Sequence, residues 1–156
     1  MLDFRVLPAS RGVYVLLLYV ARPQPLMISR LGQYSLPVGH YFYVGSAHGA
    51  GGLRARVGRH LRSGGAWHWH IDYLRAVSKV QAVFYTVTDR MLECAWSQAL
   101  AQLPRAFIPV PHFGSSDCRS GCAAHLVAFP RRAESAGVKY ALDQAAGVPL
   151  VRLRFC

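Results

Sequence analysis

Two stretches carry the residue types best suited to chemistry: Gly39 to Ala47, which holds Tyr41 and Tyr43, and Leu53 to His60, which holds Arg54, Arg56, Arg59 and His60. Tyr41 and Tyr43 share a face if the first stretch is a strand, because side chains alternate along it. Gly45 is read as the end of that strand, and the turn-rich Gly49-Ala-Gly-Gly52 leads into a basic helix. On the helix Leu53, Val57 and Leu61 form an apolar stripe, and Arg56 and His60 sit together along its edge. A hydroxyl, a guanidinium and an imidazole are then brought towards one cleft, a combination that suits phosphate chemistry. Arginine bonds phosphate in a planar, bidentate way. Tyrosine, with a reference pKa of about 10, is a poor base unless nearby positive charge eases its deprotonation; otherwise it only positions water.

Carboxylates are scarce, with 7 Asp and Glu in 156 residues, so elimination is informative. Asp3 is terminal, Asp89 is expected to cap a helix through its side-chain oxygen, and Glu134 and Asp143 lie in the tail. Asp72, Glu93 and Asp117 remain as site ligands, and a carboxylate is the right donor for hard Mg²⁺. Cys118, Cys122 and His125, with His112 upstream, offer ligand types for zinc, but the spacing is irregular and a structural zinc is not expected.

The charge balance names the partner class. There are 18 Lys and Arg against 7 acidic residues, a formal net charge of +11, and only Lys79 and Lys139 are lysines. Such an excess attracts a polyanion, with nucleic acid first in line. No lysine-rich amphipathic helix suggests a membrane surface. Val13 to Val20 is too short to span a bilayer, and nothing resembles a signal peptide, so a cytoplasmic protein with reduced thiols is expected.

The elements that must hold these residues follow from the pattern. Gly12 to Val20 reads as a central strand, broken by Pro23 and Pro25, with a short strand from Met27 to Leu31. After the basic helix, Ser63-Gly-Gly65 is a break, and a second helix begins at His68 with Trp69, Tyr73 and Val77 at four-residue spacing. Val80 to Val87 is a strand, and Leu92, Ala95, Trp96, Ala99 and Leu103 mark the apolar face of a helix. A proline-rich loop, a strand at His125 to Phe129, a short helix over Val138 to Ala145 and a last strand from Pro149 to Phe155 complete the chain. The order predicts a single small α/β domain of the α+β type, with antiparallel pairing of the opening strands. Its core spans about residues 10–130, with a C-terminal extension over about 131–156.

Gly12-Val-Tyr14, Tyr43-Val-Gly45, Arg56 and His60 on the next helix, and Glu93 on a later one form an ordered set. Over roughly residues 10–103 it resembles the GIY-YIG nuclease family. The phrases Tyr-Val-Gly-Ser-Ala, His-Trp-His-Ile-Asp-Tyr-Leu and Ser-Ser-Asp-Cys resemble a little-studied branch whose members are sometimes fused to an endonuclease III-type repair enzyme.

The resemblance implies about three core antiparallel strands flanked by helices, with an insertion after the first strand and extra C-terminal strands. It also implies metal-dependent endonucleolytic hydrolysis of DNA, in repair, with a repair protein as partner. Tyr43 would take the proton from water or orient it, Tyr14 would help hold the scissile phosphate, Arg56 would stabilise the phosphorane, Glu93 would bind one Mg²⁺ or Mn²⁺, and His60 would be a further catalytic-site residue. Arg54, Arg59 and Arg62 would contact the backbone outside the reacting phosphate, with Ser46, His70 and Asp117 as further contacts. Three features depart from the family pattern. Tyr14 and Tyr43 are far apart in sequence, the chain contains no asparagine for the late site position, where either Asp117 substitutes or the position is dispensable in this branch, and Ser46 replaces a basic residue after the second motif. These departures keep a second reading open, a nucleic-acid-binding module without catalysis that assists a repair partner, and RNA stands as a third.

Overall fold

A computed structural model describes residues 3–62, 64–116, 118–131, 135–147 and 149–155. The central strand, β1 (Gly12–Val20), is buried along nearly its whole length. Burial on both sides is why its sequence is almost continuously apolar instead of alternating. Next to it lies β4 (Gly39–Ala47), which continues past Gly45, and on its other side β5 (Lys79–Val87). With β6 (Leu126–Phe129) and β7 (Val151–Arg154) at the edges, the antiparallel order is β6-β4-β1-β5-β7. The expected three core strands with added C-terminal strands are β4, β1 and β5, bordered by β6 and β7.

Strand parity sorts the core into two layers. Tyr14, Leu16, Leu18 and Val20 pack with Leu53 and Val57 of α1 (Gly52–Leu61) and Ile71 and Leu74 of α2 (His70–Arg75). Val13, Val15 and Leu17 pack on the opposite face with Trp96 and Leu100 of α3 (Glu93–Ala101) and Leu142 of α4 (Ser135–Ala146). The chemistry-bearing tyrosines therefore fall on the α1/α2 side.

The insertion is a hairpin, β2 (Gln24–Ile28) with β3 (Gly32–Leu36). It starts earlier than the strand expected from Met27 and includes Pro25, which a two-stranded ribbon tolerates because one edge of each strand carries no ladder. Helix α2 stops at Arg75, so Val77 lies beyond it, and the Arg75 side chain donates to the carbonyls of His60 and Ser78. Asp89 does not cap α3: the cap position is Leu92, with no side-chain bond, and Asp89 instead pairs with Arg11 at 3.9 Å on the surface. Among the described residues, no helix is long and apolar enough to cross a membrane.

Candidate functional site

At one end of the sheet, cross-strand register sets the first geometry. Tyr14 on β1 lies opposite Gly45 on β4, and Leu16 opposite Tyr43. A Cβ at position 45 would collide with the Tyr14 hydroxyl and ring, so the glycine is what lets that ring lie across the strand. Tyr14 is 1% exposed, and its hydroxyl shares a 2.7 Å hydrogen bond with His60 Nε2 on α1. Tyr43 completes the cluster, with ring centroids 6.4 Å from Tyr14 and 6.1 Å from His60. Burial first, then the proximity of Tyr43 and Glu93, raises the Tyr14 pKa well above the ordinary tyrosine value; Arg56 and Arg59 pull it only partly back. Tyr14 is therefore a persistent hydroxyl rather than a base. His60 is held neutral: burial lowers its pKa to about 3, despite the attraction of Asp72. Its Nδ1 is buried with no partner among the described residues.

Trp69, just ahead of α2, organises the cations. The Arg59 guanidinium sits 3.9 Å and that of Arg56 4.4 Å from its ring centroid, and His60 meets it edge-on. The two arginines have different commitments. Arg59 bonds both oxygens of Asp72 at 3.2 Å, whereas Arg56 lines a cleft of about 540 Å³ together with Tyr14, Tyr43, Ser46, Trp69 and Glu93. Asp72 also accepts the backbone N–H groups of His68 and Trp69. Burial pushes its pKa up, but these bonds and Arg59 outweigh it, so the carboxyl lies below its usual range.

The accounting of carboxylates then sharpens. Asp3 bonds Arg5, Asp72 bonds Arg59, Asp89 pairs with Arg11 and Asp143 with Lys139. Among the described residues, only the Glu93 carboxylate has neither hydrogen bond nor ion pair, and it faces the cleft from the first turn of α3. Asp117 lies outside the described residues.

The remaining expected contacts are spread out. Arg54, exposed on α1, donates to the Leu7 carbonyl, and Arg62, exposed just past the end of that helix, donates to that of Gly58. His70 accepts the Gly114 N–H at 2.9 Å and so fixes the loop that closes the cleft. Gly114 has φ +72° and lies so near Tyr43 and His125 that a Cβ there would crowd both. A larger cavity of about 760 Å³ opens beyond α1, lined by Arg59, Arg62, Trp67 and Arg75, but its one carboxylate, Asp72, is already engaged. Sequence reasoning did not single out Arg119 or Met91, which also line the 540 Å³ cleft, because neither stands in a periodic or motif position.

Cys94, beside Glu93, is disulfide-bonded to Cys122, where reduced thiols were expected, with Cys118 Sγ 3.0 Å and His125 Nε2 3.6 Å from its sulfur. Cys94 is separated from Cys122 by 28 positions, which hid it from any reading of local spacing. His112 is exposed and is not one of the gathered donors.

No curated protein and no solved structure gives a significant match to the chain. A family model described as a domain of unknown function, DUF123, matches residues 13–146, from the second residue of β1 to the end of α4. That span contains every residue of the cleft, and the chain belongs to the DUF123 family.

Proposed function

We propose that this chain is a divalent-metal-dependent endonuclease of the GIY-YIG type that hydrolyses phosphodiester bonds in DNA, acting in repair beside a partner protein. The observation that carries the reading is the meeting of Tyr14, Tyr43 and Arg56 with the uncommitted Glu93 carboxylate in one cleft. A backbone phosphate fits the donors there. Arg56, steadied by Trp69, presents a fork to the phosphate oxygens and offsets the charge that builds up on them. Tyr14 keeps its proton and, braced by His60, serves as a hydroxyl that holds the phosphate. Tyr43, less buried and on the same face, orients the attacking water.

Glu93 fits a hard cation: it is an oxygen donor with no other partner, at a site open enough for the ion to keep several waters. When bound, Mg²⁺ or Mn²⁺ supplies charge to the phosphate oxygens and acidity to its own water. Exposed Arg54, Arg62 and Arg119 add affinity through the backbone without reading sequence.

The test incubates supercoiled plasmid and labelled single- and double-stranded DNA and RNA oligonucleotides with Mg²⁺, Mn²⁺ or EDTA, beside Glu93→Ala and Arg56→Ala. Metal-dependent DNA cleavage lost in both variants supports the reading. Cleavage that survives both places the chemistry elsewhere, and binding without cleavage of any substrate favours a non-catalytic nucleic-acid-binding module.

A further inference from the structure

We infer that Cys94, Cys118, Cys122 and His125 are the ligands of a structural zinc ion. The four donor atoms all lie within 4.8 Å of one another. Tetrahedral zinc, with Zn–S of about 2.3 Å, separates its ligand sulfurs by about 3.8 Å, so one ion fits at their centre. Three sulfurs and an imidazole form a soft set that selects zinc over Mg²⁺, and four protein ligands leave no open position for catalysis. A disulfide between Cys94 and Cys122 requires neither Cys118 nor His125, yet both close on the same point.

The donors come from separate segments whose backbones are already fixed. Cys94 is on the first turn of α3, Cys118 and Cys122 are on the long loop, and His125 bonds Phe113 and Val44 through its own backbone at 2.8 Å each. Cys122 and His125 are buried. Zinc therefore ties the loop that closes the cleft to the turn that carries Glu93. Loading is balanced: a dithiol reductant gives two electrons to the Cys94–Cys122 pair and becomes a disulfide itself. Zinc then displaces one proton from each of the three thiols.

The site does not depend on the nuclease reading, because it is measured without substrate. The full chain is purified under reducing conditions, and its zinc is measured by mass spectrometry beside Cys118→Ser and His125→Ala. One zinc per chain, markedly reduced in both variants, is expected. Wild-type protein exchanged into Co²⁺ is expected to show thiolate charge-transfer bands and the strong visible bands of tetrahedral cobalt, a result that needs no variant to fold. A reduced, folded chain with no zinc and no such cobalt spectrum would overturn the assignment, as would zinc content unchanged in both variants.

Discussion

Acid should destabilise this protein through His60. The side chain is 3% exposed, and burial outweighs Asp72 to lower its pKa to about 3, with Arg56, Arg59 and Arg75 adding to the effect. In the unfolded chain the same imidazole titrates near the reference value of about 6.5. Between those two values the unfolded chain binds a proton that the folded chain refuses, so stability is full above the unfolded pKa and falls as the pH drops towards the folded one. The slope approaches about 1.4 kcal/mol per pH unit. From about pH 7.5 to about pH 4.5 the loss from this one group is about 3 kcal/mol, a large part of the roughly 5–15 kcal/mol that holds a domain folded. Urea unfolding of wild type and His60→Gln across that range isolates the contribution, since glutamine keeps a polar group near the Tyr14 hydroxyl but does not titrate. The variant is expected to start less stable, and the gap between the two curves is expected to close by about 3 kcal/mol as the pH falls. Parallel curves would refute a buried, neutral His60.

Gly45→Ala places a methyl group against the Tyr14 hydroxyl, which is expected to cost about 1–3 kcal/mol in urea unfolding. Trp69→Ala removes the surface under Arg56 and Arg59, contacts worth about 0.5–1 kcal/mol each, and is expected to weaken DNA binding several-fold by fluorescence anisotropy. Asp72→Asn strips Arg59 of its ion pair and α2 of a charged acceptor for two N–H groups, with an expected loss of about 1–3 kcal/mol in thermal or urea unfolding. Titration of DNA binding against salt is expected to show a steep negative slope, about 0.9 in the logarithm per phosphate contacted, and Arg62→Ala is expected to reduce it by about one contact.

Much of the fold was legible because the strands announce themselves. β1 is a run of β-branched and aromatic residues, and alternation along β4 places Tyr41 and Tyr43 on one face, whereas the pairing of Tyr14 with Tyr43 rests on the family resemblance and not on the strand pattern. The hairpin β2–β3 was half-legible, since Pro25 reads as a break and only the open edge of a ribbon excuses it. Asp89 misled because its residue type fits a cap, while the start of α3 is set by Leu92 and Trp96 packing into the core. The division of labour between Arg56 and Arg59 depends on which one reaches Asp72 across the α1–α2 gap, a long-range fact without a local signature. Cys94 is the clearest case. Its spacing to Cys118 is that of a separate helix, and only the return of the loop from Phe113 to His125 brings the four donors together.

The most direct test of the proposed active site separates binding from cutting at Glu93. Glu93→Gln preserves the side-chain shape and leaves Arg56, Tyr14 and Tyr43 in place, but removes the carboxylate charge a hard cation needs. Binding and Mg²⁺-dependent cleavage of the same labelled DNA are measured for wild type and variant at matched salt. Binding retained within a few-fold and cleavage reduced at least about a hundredfold is the expected result. Cleavage at the wild-type rate in Glu93→Gln would contradict the assignment of this cleft as a metal-dependent nuclease site.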